Sequence, residues 1–93
     1  MQKLIHFTAT WCQPCKAMAP MIDKFVIDNP EIEYTKIDID SADAVTAIEE
    51  YDVRGVPTFI VFEDEEIKSR HTGSATADKF AALFAWQISM HPL

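Results

Sequence analysis

The run Lys3-Leu4-Ile5-His6-Phe7-Thr8-Ala9 is short and largely apolar, and it predicts a buried strand over residues 3–9. From residue 13 the period changes. Met18, Met21, Ile22, Phe25 and Val26 recur at the spacing of one helix face, which predicts a helix over 13–28. Pro20 falls inside that pattern and predicts a kink, and Asn29-Pro30 ends the helix. Residues 32–37 alternate into a second strand, with Ile32, Tyr34 and Lys36 on one side. Asp40-Ser41 supplies an N-cap for a short helix marked by Val45, Ile48 and Tyr51. Val56 to Phe62 reads as a strong third strand. Glu63-Asp64-Glu65-Glu66 is an acidic turn, and Ile67 to Thr72 form the returning strand. Gly73 breaks it. Thr76 caps a last helix that places Phe80, Leu83, Phe84 and Ile88 on its core face and leaves Trp86 off that stripe.

The predicted order is β-α-β-α-β-β-α. A helical crossover makes the first two strands parallel, and the last two strands form a hairpin. The expected fold is an α/β domain with a four-stranded mixed sheet and helices on both faces, one domain spanning residues 1–93. A chain of 93 residues can bury enough surface for one modest core.

Charge narrows the partners. The net charge of −7 argues against nucleic acid, which needs a basic face, and against anionic membranes. No stretch approaches the roughly 20 apolar residues of a membrane span, and the apolar run after Met1-Gln2-Lys3 is too short for a secretory signal. If residue 1 is the true start, the expected compartment is the cytoplasm. A secreted mature form that has lost its signal stands as the alternative. In the cytoplasm thiols are kept reduced, so a cysteine pair points to catalysis or metal binding rather than a structural staple.

The chain has only two cysteines, in the stretch Trp11-Cys12-Gln13-Pro14-Cys15-Lys16. A thiol at a helix start faces unpaired N–H groups and the positive end of the helix dipole. That lowers its pKa, and the thiolate is the nucleophile. A second thiol almost one turn on can close a ring and release whatever the first has attacked. The pattern points to thiol–disulfide exchange. The competing use is half of a zinc site. Zinc normally takes four ligands, and only His6, His71 and His91 could join the thiolates, none at a finger-like spacing. No metal is expected. With two glycines and no Gly-x-Gly-x-x-Gly, the chain has no dinucleotide fingerprint, so no bound cofactor is expected.

These residues together resemble the thioredoxin family. The resemblance covers essentially the whole chain. It rests on Trp-Cys-x-Pro-Cys-Lys at 11–16, Ala19-Pro20, Lys36-Ile37-Asp38-Ile39-Asp40, Val53-Arg54-Gly55-Val56-Pro57-Thr58 and Gly73. It implies a thioredoxin-like fold and a protein disulfide reductase, a disulfide between Cys12 and Cys15, protein disulfides as substrates, and an NADPH-dependent thioredoxin reductase as electron donor to a monomer. Cys12 would be the exposed attacking thiolate and Cys15 the more buried resolving thiol. Trp11, Gln13, Pro14, Val56, Pro57 and Gly73 would line the substrate site, with Pro57 cis. The backbone at Val56 would pair with an extended substrate segment, and Gly73 would keep the groove floor low.

The chain departs from that pattern at several points. It begins at what would be the family's second strand, so the Glu31–Asp38 strand becomes a sheet edge. The motif carries Gln13-Pro14 in place of Gly-Pro. His6 stands where a buried Asp assists proton transfer, and a neutral imidazole there could take the Cys15 proton. Lys36 often neighbours that Asp and shifts its charge balance. Thr8 stands where a second Trp is usual. The acidic turn lacks the expected Gly. Three other functions share the pattern: a disulfide oxidase or isomerase, a glutathione-linked glutaredoxin-like protein, and a non-catalytic subunit that binds a partner protein. Trp11 and Lys16 around the cysteines favour thioredoxin over glutaredoxin.

Overall fold

The structure, a computed structural model, describes residues 1–84. The elements run β1 (Gln2–Thr8), α1 (Gln13–Asp28), β2 (Glu33–Asp38), α2 (Ala44–Glu50), β3 (Thr58–Glu63), β4 (Glu66–Thr72) and α3 (Ala77–Ala82). The four strands form one sheet in the order β2-β1-β3-β4. β1 and β2 are parallel, while β1–β3 and β3–β4 are antiparallel. The mixed sheet and the final hairpin are those the alternation predicts.

Period-two alternation sends β1 and β3 side chains to opposite faces. Leu4, Phe59 and Val61 point to one face and pack with Met18 and Ile22 of α1 and Phe80 of α3. Ile5, Phe7, Ile60 and Phe62 point to the other and pack under Ala47, Ile48 and Tyr51. The buried positions of both central strands are therefore apolar on both faces, except for His6 and Thr58. On the first face the aromatic rings interlock: Phe80 meets Phe59 and Phe25 edge-on, each at 5.1 Å between centroids.

Several local expectations are corrected. The short helix starts at Ala44, with Asp43 and not Asp40-Ser41 at the N-cap position, and the Asp43 side chain makes no capping hydrogen bond. Val45 is exposed, and Ala44 takes the buried position. Val56 and Pro57 precede β3, which begins at Thr58. α1 runs through Pro20, whose missing N–H costs one backbone bond without ending the helix. The acidic turn manages without glycine because Asp64 takes a left-handed φ of 57°, a conformation Asp tolerates better than most side chains. β2 is an edge strand, as expected. Ile88 and Trp86 lie outside the described residues.

Candidate functional site

The site sits where β1 ends and α1 begins. Ala9 O accepts a hydrogen bond from Cys12 N–H at 3.2 Å, which turns the chain from strand into helix. Cys12 is the N-cap of α1: its backbone is extended and its Sγ accepts from Cys15 N–H at 3.2 Å. Gln13 and Pro14 occupy the first helical positions, where a proline costs no helical hydrogen bond. The Cys12 sulfur thus lies at the positive end of a 16-residue helix, where a thiolate is stabilised. Cys12 and Cys15 form a disulfide with Cα atoms 5.3 Å apart.

In this oxidised form the two cysteines are equally buried, each 4% exposed, so Cys12 is not the open thiol that the family pattern implies. The disulfide-bonded pair clusters with Ala9, and Ile39 and Val56 pack against it. The nucleophile is distinguished by its capping position and not by access.

Pro57 and Val56 approach from the loop before β3. The Val56–Pro57 peptide bond is cis. Three contacts hold this loop. Thr58 Oγ1 donates to Gly55 O at 2.6 Å and meets Thr72 Oγ1 at 3.1 Å, and Gly73 N–H donates to Pro57 O at 2.8 Å. Gly73 adopts φ +107°, which favours glycine, while a Cβ there would meet nothing within 4 Å. Backbone conformation, more than groove depth, requires glycine at 73. Among the described residues the Val56 backbone makes no hydrogen bond, which leaves it able to pair with an added strand.

Trp11 is 60% exposed, and its Nε1–H donates to Asp40 at 2.8 Å. It forms one wall of a cleft that continues along Ile39, Val53, Arg54 and Val56. Asp40 is a site residue that sequence reasoning placed in the wrong role. Its own N–H donates to Asp38 Oδ1 at 2.9 Å, which fixes the turn after β2 and aims the carboxylate at the indole.

His6 is 3% exposed. Its Nδ1 lies 2.9 Å from Tyr34 Oη, and its ring stacks on Phe59 at 4.7 Å. Nε2 is buried without a hydrogen-bond partner among the described residues. Burial, helped by the Lys36 ammonium across the β1–β2 pair, lowers the imidazole to about 4. Tyr34, its partner, is pushed up to about 12 by burial and by the Asp23 carboxylate. His6 is therefore a neutral aromatic at neutral pH. Its low basicity weighs against its holding the Cys15 proton. Tyr34 was readable only as sharing one side of the second strand with Ile32 and Lys36, since nothing in the local pattern pairs it with His6.

Among the described residues there is no cluster of three or more His, Cys, Asp or Glu side chains able to hold a metal. No helix there is long and apolar enough to cross a membrane.

The thioredoxin family model matches residues 1–85. A thioredoxin-2 of Pyricularia oryzae is 42% identical over 82 residues, 88% of this chain and 46% of its own length. Thioredoxin H3 of Arabidopsis thaliana is 36% identical over 80 residues, 86% of this chain and 66% of its own. The chain thus spans about half the length of the first of these relatives and just under two thirds of the second. Among solved structures, thioredoxin O2 of Arabidopsis thaliana in the oxidised state superimposes with a TM-score of 0.80. It is 27% identical and covers 95% of this chain, which covers 75% of it.

Proposed function

The chain belongs to the thioredoxin family, and from that premise we propose that it works as a protein disulfide reductase. The observation that carries the reading is Cys12 at the N-cap of α1, with Cys15 N–H on its sulfur and the free Val56 backbone beside it. In the reduced protein the Cys12 thiolate, stabilised by the helix N-terminus, attacks one sulfur of a substrate disulfide and expels the other as a thiolate. Cys15 then loses its proton and attacks Cys12 Sγ. The substrate leaves reduced by two electrons, and the Cys12–Cys15 disulfide is what remains.

The substrate segment runs along the cleft between Trp11 and Val56 and adds a strand to the Val56 backbone. Gln13 and Pro14, exposed at the helix start, face the same approach. No group in the chain supplies electrons, so the oxidised form is returned by a partner, an NADPH-dependent thioredoxin reductase. The chain acts as a monomeric electron carrier in the cytoplasm. The support for that compartment is chemical: a dithiol that must start reduced needs a reducing surrounding.

The equilibrium potential of the Cys12–Cys15 couple in glutathione or dithiothreitol buffers tests this reading. The expected value lies near the thioredoxin family reference of about −270 mV. A value nearer the roughly −180 mV of protein disulfide isomerase would replace reductase with isomerase or oxidase. A Cys12→Ser, Cys15→Ser protein that keeps its cellular role would show a binding subunit instead.

A further inference from the structure

Cys15 lines a second cavity that the docking cleft does not use. It lies on the opposite side of the motif, between the end of β1, the first turns of α1 and the end of β2. Its volume is about 380 Å³, within the range of small-ligand sites. Thr8, Thr10, Cys15, Lys16, Lys36 and Asp38 supply its chemistry. Thr8 is a small side chain at the strand end, and a bulky one there would occupy the space.

Two lysines border this cavity in an otherwise acidic chain, with Asp38 as the one acid on its wall. The chain holds 8 Lys and Arg against 15 Asp and Glu. Lys3, Lys24, Arg54 and Lys68 are each paired with an acid. Lys16 and Lys36 both border the cavity, and neither forms an ion pair among the described residues. Two unpaired ammonium groups beside a sulfur suit a ligand that carries both a carboxylate and a thiol.

The disulfide itself favours attack from this side. As whole residues Cys12 and Cys15 are equally buried, so burial does not choose between them. The leaving group does. Attack on Cys15 expels Cys12, whose sulfur caps the helix and accepts the Cys15 N–H. A thiolate of lower pKa leaves faster. Attack on Cys12 would expel Cys15 from within the first turn, without that cap.

We propose that this cavity admits a small carboxylate-bearing thiol, which reduces the protein through Cys15 while protein partners exchange through Cys12. The proposal rests on the redox-active pair of the reading above. In the first step the ligand thiolate bonds to Cys15 Sγ, the Cys12–Cys15 bond breaks, and Cys12 leaves as a thiolate. In the second step another ligand thiolate attacks the ligand sulfur of that mixed disulfide. The ligand disulfide leaves, and Cys15 takes up a proton. Two ligand thiols are oxidised, and the protein disulfide gains two electrons.

The test is quenched-flow reduction of the oxidised protein by reduced glutathione, with acid quench, alkylation and fragment mass mapping. Uncharged dithiothreitol is the reference reductant, and insulin reduction by the reduced protein reports the docking cleft. Thr8→Trp fills the cavity, and Lys36→Glu reverses a charge at its rim. The glutathione adduct should map to Cys15. Its rate should fall about tenfold in Thr8→Trp and about fivefold in Lys36→Glu, the latter from the lost attraction of one close ionic contact. The dithiothreitol rate of Lys36→Glu and the insulin rates of both variants should stay within about twofold. Should Thr8→Trp not fold, Lys36→Glu alone decides. An adduct on Cys12, or glutathione rates unchanged in Lys36→Glu, overturns the proposal. Loss of insulin reduction in the unaltered protein would instead overturn the reductase reading.

Discussion

The two faces of the sheet are built from the same strands and differ in kind. Under α2, Ile5, Phe7, Ile60 and Phe62 form an unbroken hydrocarbon layer. Under α1 and α3, Leu4, Phe59 and Phe80 form a comparable layer, but His6 interrupts it and the cavity beside Cys15 opens at its end. Each buried apolar side chain on the α2 face contributes about 1.5–3 kcal/mol. On the other face an unpartnered imidazole nitrogen and an unfilled space work against the same term. Both faces carry buried apolar cores, and the chain places its chemistry at the less well packed end of one of them.

Phe7→Ala tests this most strongly. Phe7 is fully buried under α2, its ring 6.3 Å from that of Tyr51. Truncation should cost about 3–5 kcal/mol in denaturant unfolding, from lost transfer energy and the cavity left behind. A loss below about 1 kcal/mol would mean that the α2 face is not the better packed one.

His6 gives the next largest effect, and it depends on pH. An unfolded histidine titrates near 6.5, and the folded one is lowered to about 4. As pH falls below 6.5 the unfolded chain binds a proton first, so folding stability drops until the folded imidazole also protonates near 4. The gap between 6.5 and about 4 corresponds to about 3 kcal/mol of folding stability, present in full above pH 6.5 and lost as the pH falls to 4. His6→Phe keeps a ring against Phe59 and removes the titration. Unfolding free energies measured from pH 7 to pH 4 should lose most of their slope in this variant. The same protein sharpens the chemistry, because exchange at neutral pH should remain close to that of the parent. Slowing of several-fold would restore His6 as the group that takes the Cys15 proton.

Gly73→Ala probes the joint between the hairpin and the cleft. A Cβ at this position meets open space, so only the backbone conformation at φ +107° is penalised. The expected loss is about 1–3 kcal/mol. Because Gly73 N–H holds Pro57 O, disulfide exchange with protein substrates should slow as well. A stable variant with unchanged exchange would detach Gly73 from the cleft.

What the sequence made legible follows the same division. The α1 helix over 13–28 was readable because Met18, Ile22 and Phe25 recur at one period and Asn29-Pro30 closes it. The strand pairing followed from alternation and from the one crossover. Contacts made across long separations were not readable. Asp40 looks like a helix cap from its neighbours, yet it accepts from an indole 29 residues earlier. Tyr34 reads only as one side of the second strand, yet its hydroxyl meets His6 across 28 residues. Val45 fits the helix period, but the turn that delivers α2 starts two residues later than the cap signal suggested and rotates Ala44 inward. The equal burial of Cys12 and Cys15 is set by the tertiary packing around the pair, which residue identities do not encode. The cavity beside Cys15 is the hardest case, because it exists where side-chain volume is missing and motifs record only what is present.

The smallest predicted effect makes the sharpest contrast, because it concerns the neighbour of Phe7 in the same strand. Thr8 points to the opposite face, is only partly buried, and borders the cavity. Its hydroxyl makes no hydrogen bond among the described residues, so removing it leaves no partner unsatisfied. The methyl group lost in Thr8→Ala enlarges a space that is already open to solvent, so no sealed void is created. Stability should change by no more than about 0.5 kcal/mol. One residue along the strand, the cost falls from several kcal/mol to almost none, although both positions lie within the same central strand. Urea unfolding of Thr8→Ala beside Phe7→Ala measures the two at once. A loss above about 1.5 kcal/mol at Thr8 would show that this end of the α1 face is packed as tightly as the α2 face, with no room beside Cys15 for a ligand.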